Sequence, residues 1–191
     1  IKNITQINIS NEKESKNFFI LSDTEVLPDL DEYDLIIGLS LINFLEDIPS
    51  FLKQLKNILT KDGLLLTSFF SENNILELKD LFSRVELNIY NGISQRFMPI
   101  IDIREVGDLI NNIGFFDTVI TREKLEYKYE NFNEMVSHLR LMAYTNFLDV
   151  KNNKFISKYF INTLINDFEK NKTNSLFKLS FDILIINSWN K

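Results

Sequence analysis

The feature that most constrains the fold of this 191-residue chain is an alternation of short apolar runs with helix-period segments. Such alternation is typical of α/β sheets whose strands are joined by crossover helices. The run YDLIIGLSL is almost continuously apolar, as parallel strands buried on both faces are. Five strands are predicted in the first two thirds of the chain, at residues 3–10, 18–22, 33–41, 64–70 and 115–122. We expect a single α/β domain over residues 1–191.

Three helices are predicted between these strands. The first opens at Pro49, places its apolar residues on one face and ends at the Lys-Asp-Gly turn at 61–63. Ser71 is a candidate N-cap for the second helix. The third has a capping-box-like start at Asp102 and a natural C′ residue, Gly114.

The last third of the chain has a different pattern. Residues 131–147 and 154–170 show helical periodicity, and residues 176–189 form a long run typical of a final strand. Residues 125–172 are therefore predicted to be a helical insertion or lid before that strand. The alternating Glu and Lys residues at 123–130 are typical of a solvated face.

Composition excludes several kinds of site. The chain has no cysteine and one histidine, so thiolate sites and multi-histidine metal sites are impossible, and no metal centre is predicted. That histidine, His138, is predicted to be structural. The formal net charge of −6 gives no electrostatic reason to expect nucleic acid as a partner. The uncharged run at 35–45 is too short for a transmembrane helix, which needs roughly 18 apolar residues or more.

Three segments together resemble the class I S-adenosylmethionine-dependent methyltransferases. SDTEVLPDLDEYDLIIGLSLINFL resembles the family's acidic turn and the Asp-Leu-Ile strand that follows it. LKQLKNILTKDGLLLTSF is similar to a helix, a Gly-containing turn and the next strand, and LINNIGF to the Leu-Leu-x-x-Ala-Gly-Phe motif before the sixth strand. The resemblance implies a Rossmann-like, mostly parallel sheet with an antiparallel C-terminal strand.

Two further segments, RFMPIIDIREVGDLINNIGF and HLRLMAYTN, are similar to methyltransferase-like assembly factors of respiratory complex I and to the malonyl-carrier-protein methyltransferases. The implied function is methyl transfer from S-adenosylmethionine to a small-molecule, carrier-bound or protein acceptor. The alternative is complex I assembly by binding a respiratory complex subunit, or by arginine hydroxylation, with little transferase activity. The expected location is the bacterial cytoplasm or, alternatively, the mitochondrial matrix. The sequence makes no prediction of oligomeric state.

The resemblance also assigns residues that contact the adenosine part of the cofactor. Asp23 corresponds to the carboxylate that accepts a hydrogen bond from the adenine amino group, and Thr24 supplies backbone beside it. Asn8 stands where the family has a carboxylate that holds the ribose hydroxyls. An amide carries no charge, so its contact with the ribose is expected to be weaker.

Gly38, Leu39 and Ser40 end the 33–41 strand, and by resemblance they line the cofactor pocket. Asn43, which follows in the sequence LSLINFLED, is a weak candidate for orienting the acceptor. The family's glycine-rich loop has no counterpart, because the first glycine of the chain is Gly38. The N-terminal part of the fold is therefore expected to be missing from this sequence or shortened.

Overall fold

Within the described residues, six strands and five helices follow the predicted alternation along the chain. The computed structural model describes residues 6–8, 18–20, 25–27, 30–40, 43, 45–94, 96–97, 100–142 and 156–191. The strands are β1 (Gln6–Asn8), β2 (Phe18–Ile20), β3 (Tyr33–Leu39), β4 (Leu59–Phe70), β5 (Phe116–Tyr129) and β6 (Phe177–Asn190). The helices are α1 (Ile48–Asn57), α2 (Leu76–Tyr90), α3 (Ile103–Ile113), α4 (Phe132–Leu141) and α5 (Lys158–Lys170).

The strands form two sheets within the described residues. β1 and β2 pair in parallel, and a four-stranded sheet has the order β3-β4-β6-β5. β3 and β4 are parallel. The last residue of β6, Asn190, lies beside the start of β4, where its side-chain amide donates to the carbonyls of Leu59 and Thr60. The two neighbouring strands therefore run antiparallel. The predicted α/β sheet with an antiparallel C-terminal strand is confirmed.

The chain divides into two compact units. Unit 1 comprises Ile1–Phe69, Ile103–Thr121 and Ile185–Lys191, and unit 2 comprises Phe70–Asp102 and Arg122–Leu184. Among the described residues, no helix has both the length and the apolar character needed to cross a bilayer.

Unit 1 packs α1 and α3 against each other through their apolar faces. The side chain of Asp47 caps α1 by accepting from the Ser50 N–H at 3.0 Å, and a proline lies in the first turn. Gly114 follows α3 with φ of +89°, the left-handed geometry that favours glycine at C′. The predicted ends of α3 are therefore confirmed.

Unit 2 has a core rich in phenylalanine. Apolar faces of α2, α4 and α5 pack on β6 around buried residues that include Phe160, Phe168 and Phe181. The helices α4 and α5 begin at N-caps, Asn131 and Ser157, whose side chains accept backbone N–H groups of the first turn.

Two predicted boundaries in the middle of the chain are wrong. β4 begins at Leu59, and the Lys-Asp-Gly sequence at 61–63 lies inside the strand, where the register with β3 shifts. Asp62 has φ of +61°, and this local conformation suits a β-bulge as well as a turn. Ser71 does not cap α2, which begins five residues later; its hydroxyl accepts from the Asn73 N–H at 3.1 Å and so caps a short turn.

Candidate functional site

The carboxyl end of β3 is fixed to β4 by polar contacts of its backbone. The Gly38 carbonyl accepts from the hydroxyl of Thr67 at 2.8 Å, and the Ser40 N–H donates to the Ser68 carbonyl at the same distance. Leu39, between them, has a side chain that is 76% exposed. The strand end is therefore rigidly placed while one apolar side chain remains open to a ligand.

Ser40, which directly follows β3, has an uncommon backbone conformation. Its φ is +54°, in the left-handed region, which a residue with a Cβ adopts at a cost. Such residues persist where the surrounding contacts hold them, and they cluster at functional sites. The half-buried Ser40 thus marks this strand end as a candidate site.

A second fixed segment in unit 1 lies at residues 25–27. The Glu25 carboxylate accepts the backbone N–H groups of Glu46 and Asp47, at 2.6 and 3.0 Å. The side-chain amide of Gln54 on α1 donates to the Glu25 carbonyl at 3.1 Å and accepts the Leu27 N–H at 2.8 Å. Four hydrogen bonds made by or to two side chains, those of Glu25 and Gln54, therefore hold the residues that follow position 24.

The other predicted site residues fall in separate places. Asn8 is the last residue of β1 and pairs with Ile20, so β1 and β2 end at the same edge of the small sheet. Asp23 and Thr24 lie outside the described residues. Asn43 is half buried, three residues beyond Ser40. Among the predicted residues, the structure brings together Gly38, Leu39 and Ser40.

Unit 2 contains a polar cluster around a buried carboxylate, Asp182 on β6. The Arg122 Nε donates to it at 2.8 Å, and the hydroxyl of Ser71 donates to it as well. The Asp182 N–H donates to the Asn74 side chain at 2.8 Å. The Arg122 hydrogen bonds lower the pKa of Asp182 below its usual value, although burial opposes this shift.

A second carboxylate, that of Glu77, binds β6 two residues before Asp182, at Ser180. The Ser180 N–H donates to Glu77 at 3.0 Å, and the Ser180 hydroxyl donates to the other carboxylate oxygen at 2.6 Å. Burial alone would raise the pKa of Glu77, but the hydrogen bonds from Ser180 outweigh it and lower the pKa. Side chains of residues 71–77, the segment that follows β4, therefore form hydrogen bonds with β6.

Glu86 on α2 forms the most deeply buried ion pair among the described residues of unit 2. Its side chain and that of Arg96 are 1% and 8% exposed, and the carboxylate accepts from Arg96 Nε at 2.6 Å. Ser94 donates its N–H at 2.7 Å and its hydroxyl to the same carboxylate. Burial alone would raise the pKa of Glu86, but these hydrogen bonds lower it. The pair fixes the loop that follows α2.

His138, the single histidine, has a polar partner, as expected for a structural histidine. Its Nδ1 lies 2.5 Å from the hydroxyl of the buried Tyr129, and its ring meets that of Tyr127 edge-on, with centroids 4.8 Å apart. Burial raises the pKa of Tyr129 to about 12, so this hydroxyl keeps its proton at neutral pH. Within the described part of the chain, no three His, Asp or Glu residues are grouped to hold a metal ion.

The curated proteins to which the chain is similar include proteins named as arginine hydroxylases and as methyltransferases. It is 24% identical over 158 residues to the mitochondrial arginine-hydroxylase NDUFAF5 of Dictyostelium discoideum, a match that covers 82% of this chain and 36% of that protein. It is 28% identical over 163 residues to the "Putative methyltransferase RP459" of Rickettsia prowazekii, covering 82% of this chain and 71% of the relative. No protein-family model matches the sequence.

A solved structure decides the fold. The "putative methyltransferase (BH2331)" of Bacillus halodurans superimposes on 92% of this chain and 73% of its own, with a TM-score of 0.51 and 12% identity. The chain therefore has a Rossmann-like methyltransferase fold. The chain spans between 36% and 40% of the length of the NDUFAF5 proteins of Dictyostelium, human, mouse and rat.

Open α/β sheets bind ligands at the carboxyl ends of their strands, and in this methyltransferase fold β3 ends at such an edge. The sequence contains no signal for the hydrogen bonds between Glu25 and α1. It did contain a signal for Asp182, a lone charge inside the apolar strand LSFDILII. The burial of Glu86 also had a signal in the sequence, because Glu86 follows Phe82 by four residues and so lies on the apolar face of α2.

Proposed function

We propose that this chain binds S-adenosylmethionine and transfers its methyl group to an acceptor. The observation that carries the proposal is that Gly38, Leu39 and Ser40 lie at the carboxyl end of a strand, where open α/β sheets bind ligands. The proposal is also supported by a relative that is named as a methyltransferase and that matches 82% of this chain.

The residues at this strand end fit such a cofactor. Ligand pockets are mostly apolar, with a few placed polar groups, and here an exposed leucine adjoins a serine held at a fixed backbone angle. The sulfonium of the cofactor supplies an activated methyl group. The protein's tasks are then to align the acceptor and exclude water, which require neither cysteine nor a histidine pair.

The adenosine contacts in the proposal rest on three residues. Asp23 accepts from the adenine amino group, Thr24 supplies the backbone beside it, and Asn8 binds the ribose hydroxyls. The tie between Glu25 and Gln54 supports this assignment, because it fixes the chain directly after Thr24. The segment that carries the adenine contacts is thereby prepared for binding.

On the acceptor side, Asn43 is proposed to orient a small molecule, a carrier-bound group or a protein side chain. Residues 125–172 are proposed to form a helical insertion or lid before the last strand. The location proposed for the reaction is the bacterial cytoplasm or the mitochondrial matrix.

Calorimetry and thermal shift with S-adenosylmethionine and S-adenosylhomocysteine test the proposal. We expect the wild-type protein to bind both compounds. Asp23→Ala should weaken affinity by about 1.5–3 kcal/mol, or roughly 10- to 150-fold, the value of a hydrogen bond to a charged group. Asp31→Ala, which removes an exposed aspartate of the same unit, is the matched control and should leave affinity unchanged.

Absence of binding at millimolar cofactor would overturn the proposal that this chain is a methyltransferase. Binding that Asp23→Ala leaves intact would instead show that the adenine site is elsewhere.

A second candidate function is favoured by the relatives named arginine-hydroxylase NDUFAF5, from Dictyostelium to human. In this alternative the chain acts in complex I assembly, by binding a respiratory complex subunit or hydroxylating its arginine. Mass spectrometry of a co-purifying subunit separates the two, since methylation adds a methyl group and hydroxylation adds an oxygen atom. A protein that binds neither cofactor form but retains such a subunit would favour the assembly role.

A further inference from the structure

The outer edge of β5 is an exposed strand edge of unusual length. β5 lies at the end of the four-stranded sheet, with β6 on one side and no described strand on the other. Residues 121–128 are all exposed, including Leu125 at 45% and Tyr127 at 41%. Unpaired backbone groups on a long edge form a template for another strand, and proteins commonly cover or blunt such edges.

We propose that the occupant of this edge is β5 of a second copy of the chain, paired antiparallel about a two-fold axis through Tyr127. In that register residues 125–129 of the two copies pair, because β5 ends at Tyr129, and Glu126 lies opposite Lys128 of the second copy. The two-fold axis repeats this pair, so two opposite-charge pairs form. Opposite charges directly across a strand pair stabilise it, and like charges destabilise it.

Neighbouring registers lack this complementarity. An axis at Leu125 pairs Lys124 with Glu126 but also places Arg122 opposite Lys128, so attraction and repulsion offset each other. An axis at Glu126 places Lys124 opposite Lys128 and Glu126 opposite itself. The charge sequence of the edge is therefore self-complementary about Tyr127.

The residue on the axis is also held in place. The Tyr127 ring packs edge-on against His138 and Phe181, with centroid distances of 4.8 and 5.5 Å. Glu126 is positioned by Lys178 of β6, whose Nζ lies 2.6 Å from its carboxylate. Pairing of one strand edge buries a small area, so we expect a weak dimer at or below the low end, about 1,200 Å², of specific interfaces.

Sedimentation and light scattering over a concentration series test the dimer. The wild-type protein should approach about 45 kDa, twice the 22.5 kDa chain, at high concentration and dissociate on dilution. Lys128→Glu places like charges opposite each other at two positions and should shift dissociation to at least tenfold higher concentration. Adding Glu126→Lys to that variant reverses the pair and should restore dimerisation. Lys53→Glu, an exposed position on α1, makes the same charge change away from the edge and should have no effect.

The absence of cysteine allows a test of the register. A cysteine replacing Tyr127 lies opposite its copy, within the 4.4–6.8 Å Cα separation, roughly, that a disulfide bridges, and should cross-link under mild oxidation. Leu125→Cys, on the same face and equally exposed, is offset by four residues from its copy and should not cross-link. A wild-type protein that stays monomeric at the highest concentration would overturn the proposal. In that case the charged side chains of β5 would serve to prevent pairing of this edge. Equal cross-linking of both cysteine variants, or dimerisation unaffected by Lys128→Glu, would overturn it as well.

Discussion

The two units use their carboxylates differently. In unit 2, Asp182 and Glu86 are buried, and arginine, serine and backbone groups of the chain occupy their oxygens. In unit 1, the Glu25 carboxylate lies at an exposed contact and binds two backbone N–H groups. Carboxylates of the first kind are committed to stability, whereas the exposed end of β3 leaves Leu39 available to a ligand. Substitution of Glu86 or Asp182 should therefore mainly change folding, whereas substitution of Glu25 should mainly change binding.

The largest effect is expected at Glu86. Glu86→Ala leaves Arg96 buried without its carboxylate and should lower the free energy of unfolding by about 3–5 kcal/mol. Urea denaturation measures this change. Asp80→Ala, on the exposed face of the same helix, is the control and should lie within about 0.5 kcal/mol of wild type. If Glu86→Ala lowered the free energy of unfolding by less than about 1 kcal/mol, Glu86 would not stabilise unit 2 as proposed, since a buried unpaired charge costs more than that.

Asp182 should have the next largest effect, with a pH dependence that identifies its cause. Asp182→Asn removes the charge that binds Arg122 and should cost about 1.5–3 kcal/mol at pH 7. Because the folded-state pKa is lowered, the unfolded chain binds the proton more readily. This stabilisation is full above the unfolded pKa, about 3.9, and is lost as the pH falls through the folded value.

Urea midpoints of wild type and Asp182→Asn, measured from pH 7 down to pH 3, check this sign. The two proteins should differ most at neutral pH and converge in acid. A difference that stays constant with pH would assign the loss to packing and not to the carboxylate charge.

Most elements of the fold could be predicted because local signals and tertiary packing agree. The start and end of α3 carry a capping pattern and a glycine with positive φ, and both appear where the sequence places them. β5 was predicted to end at Arg122 but continues to Tyr129. Alternating charges predict solvent exposure, and an edge strand exposes its side chains as a solvated loop does, so charge pattern alone does not separate them.

The site was less predictable because its contacts join distant positions. The bond from Gln54 to Glu25 spans 29 residues, and the left-handed turn at Ser40 depends on a strand 28 residues away. No local pattern encodes such contacts. The end of β3 could be placed, since it follows from the apolar run, whereas the cofactor contacts of Asn8, Asp23 and Thr24 remain predictions.

The smallest effect on stability is expected at Glu25, and it gives the sharpest test of the comparison. Glu25→Ala removes the acceptor of two N–H groups at a solvent-exposed contact, so it should cost only about 1 kcal/mol of unfolding free energy. If the segment after Thr24 must be ordered to bind adenosine, affinity for S-adenosylmethionine should fall several-fold while the fold persists. Glu32→Ala, an exposed acidic residue of the same unit, should change neither quantity. Parallel calorimetry and urea titration separate the two effects: unchanged affinity with Glu25→Ala would mean that the tie to α1 serves folding alone, as the buried carboxylates of unit 2 do.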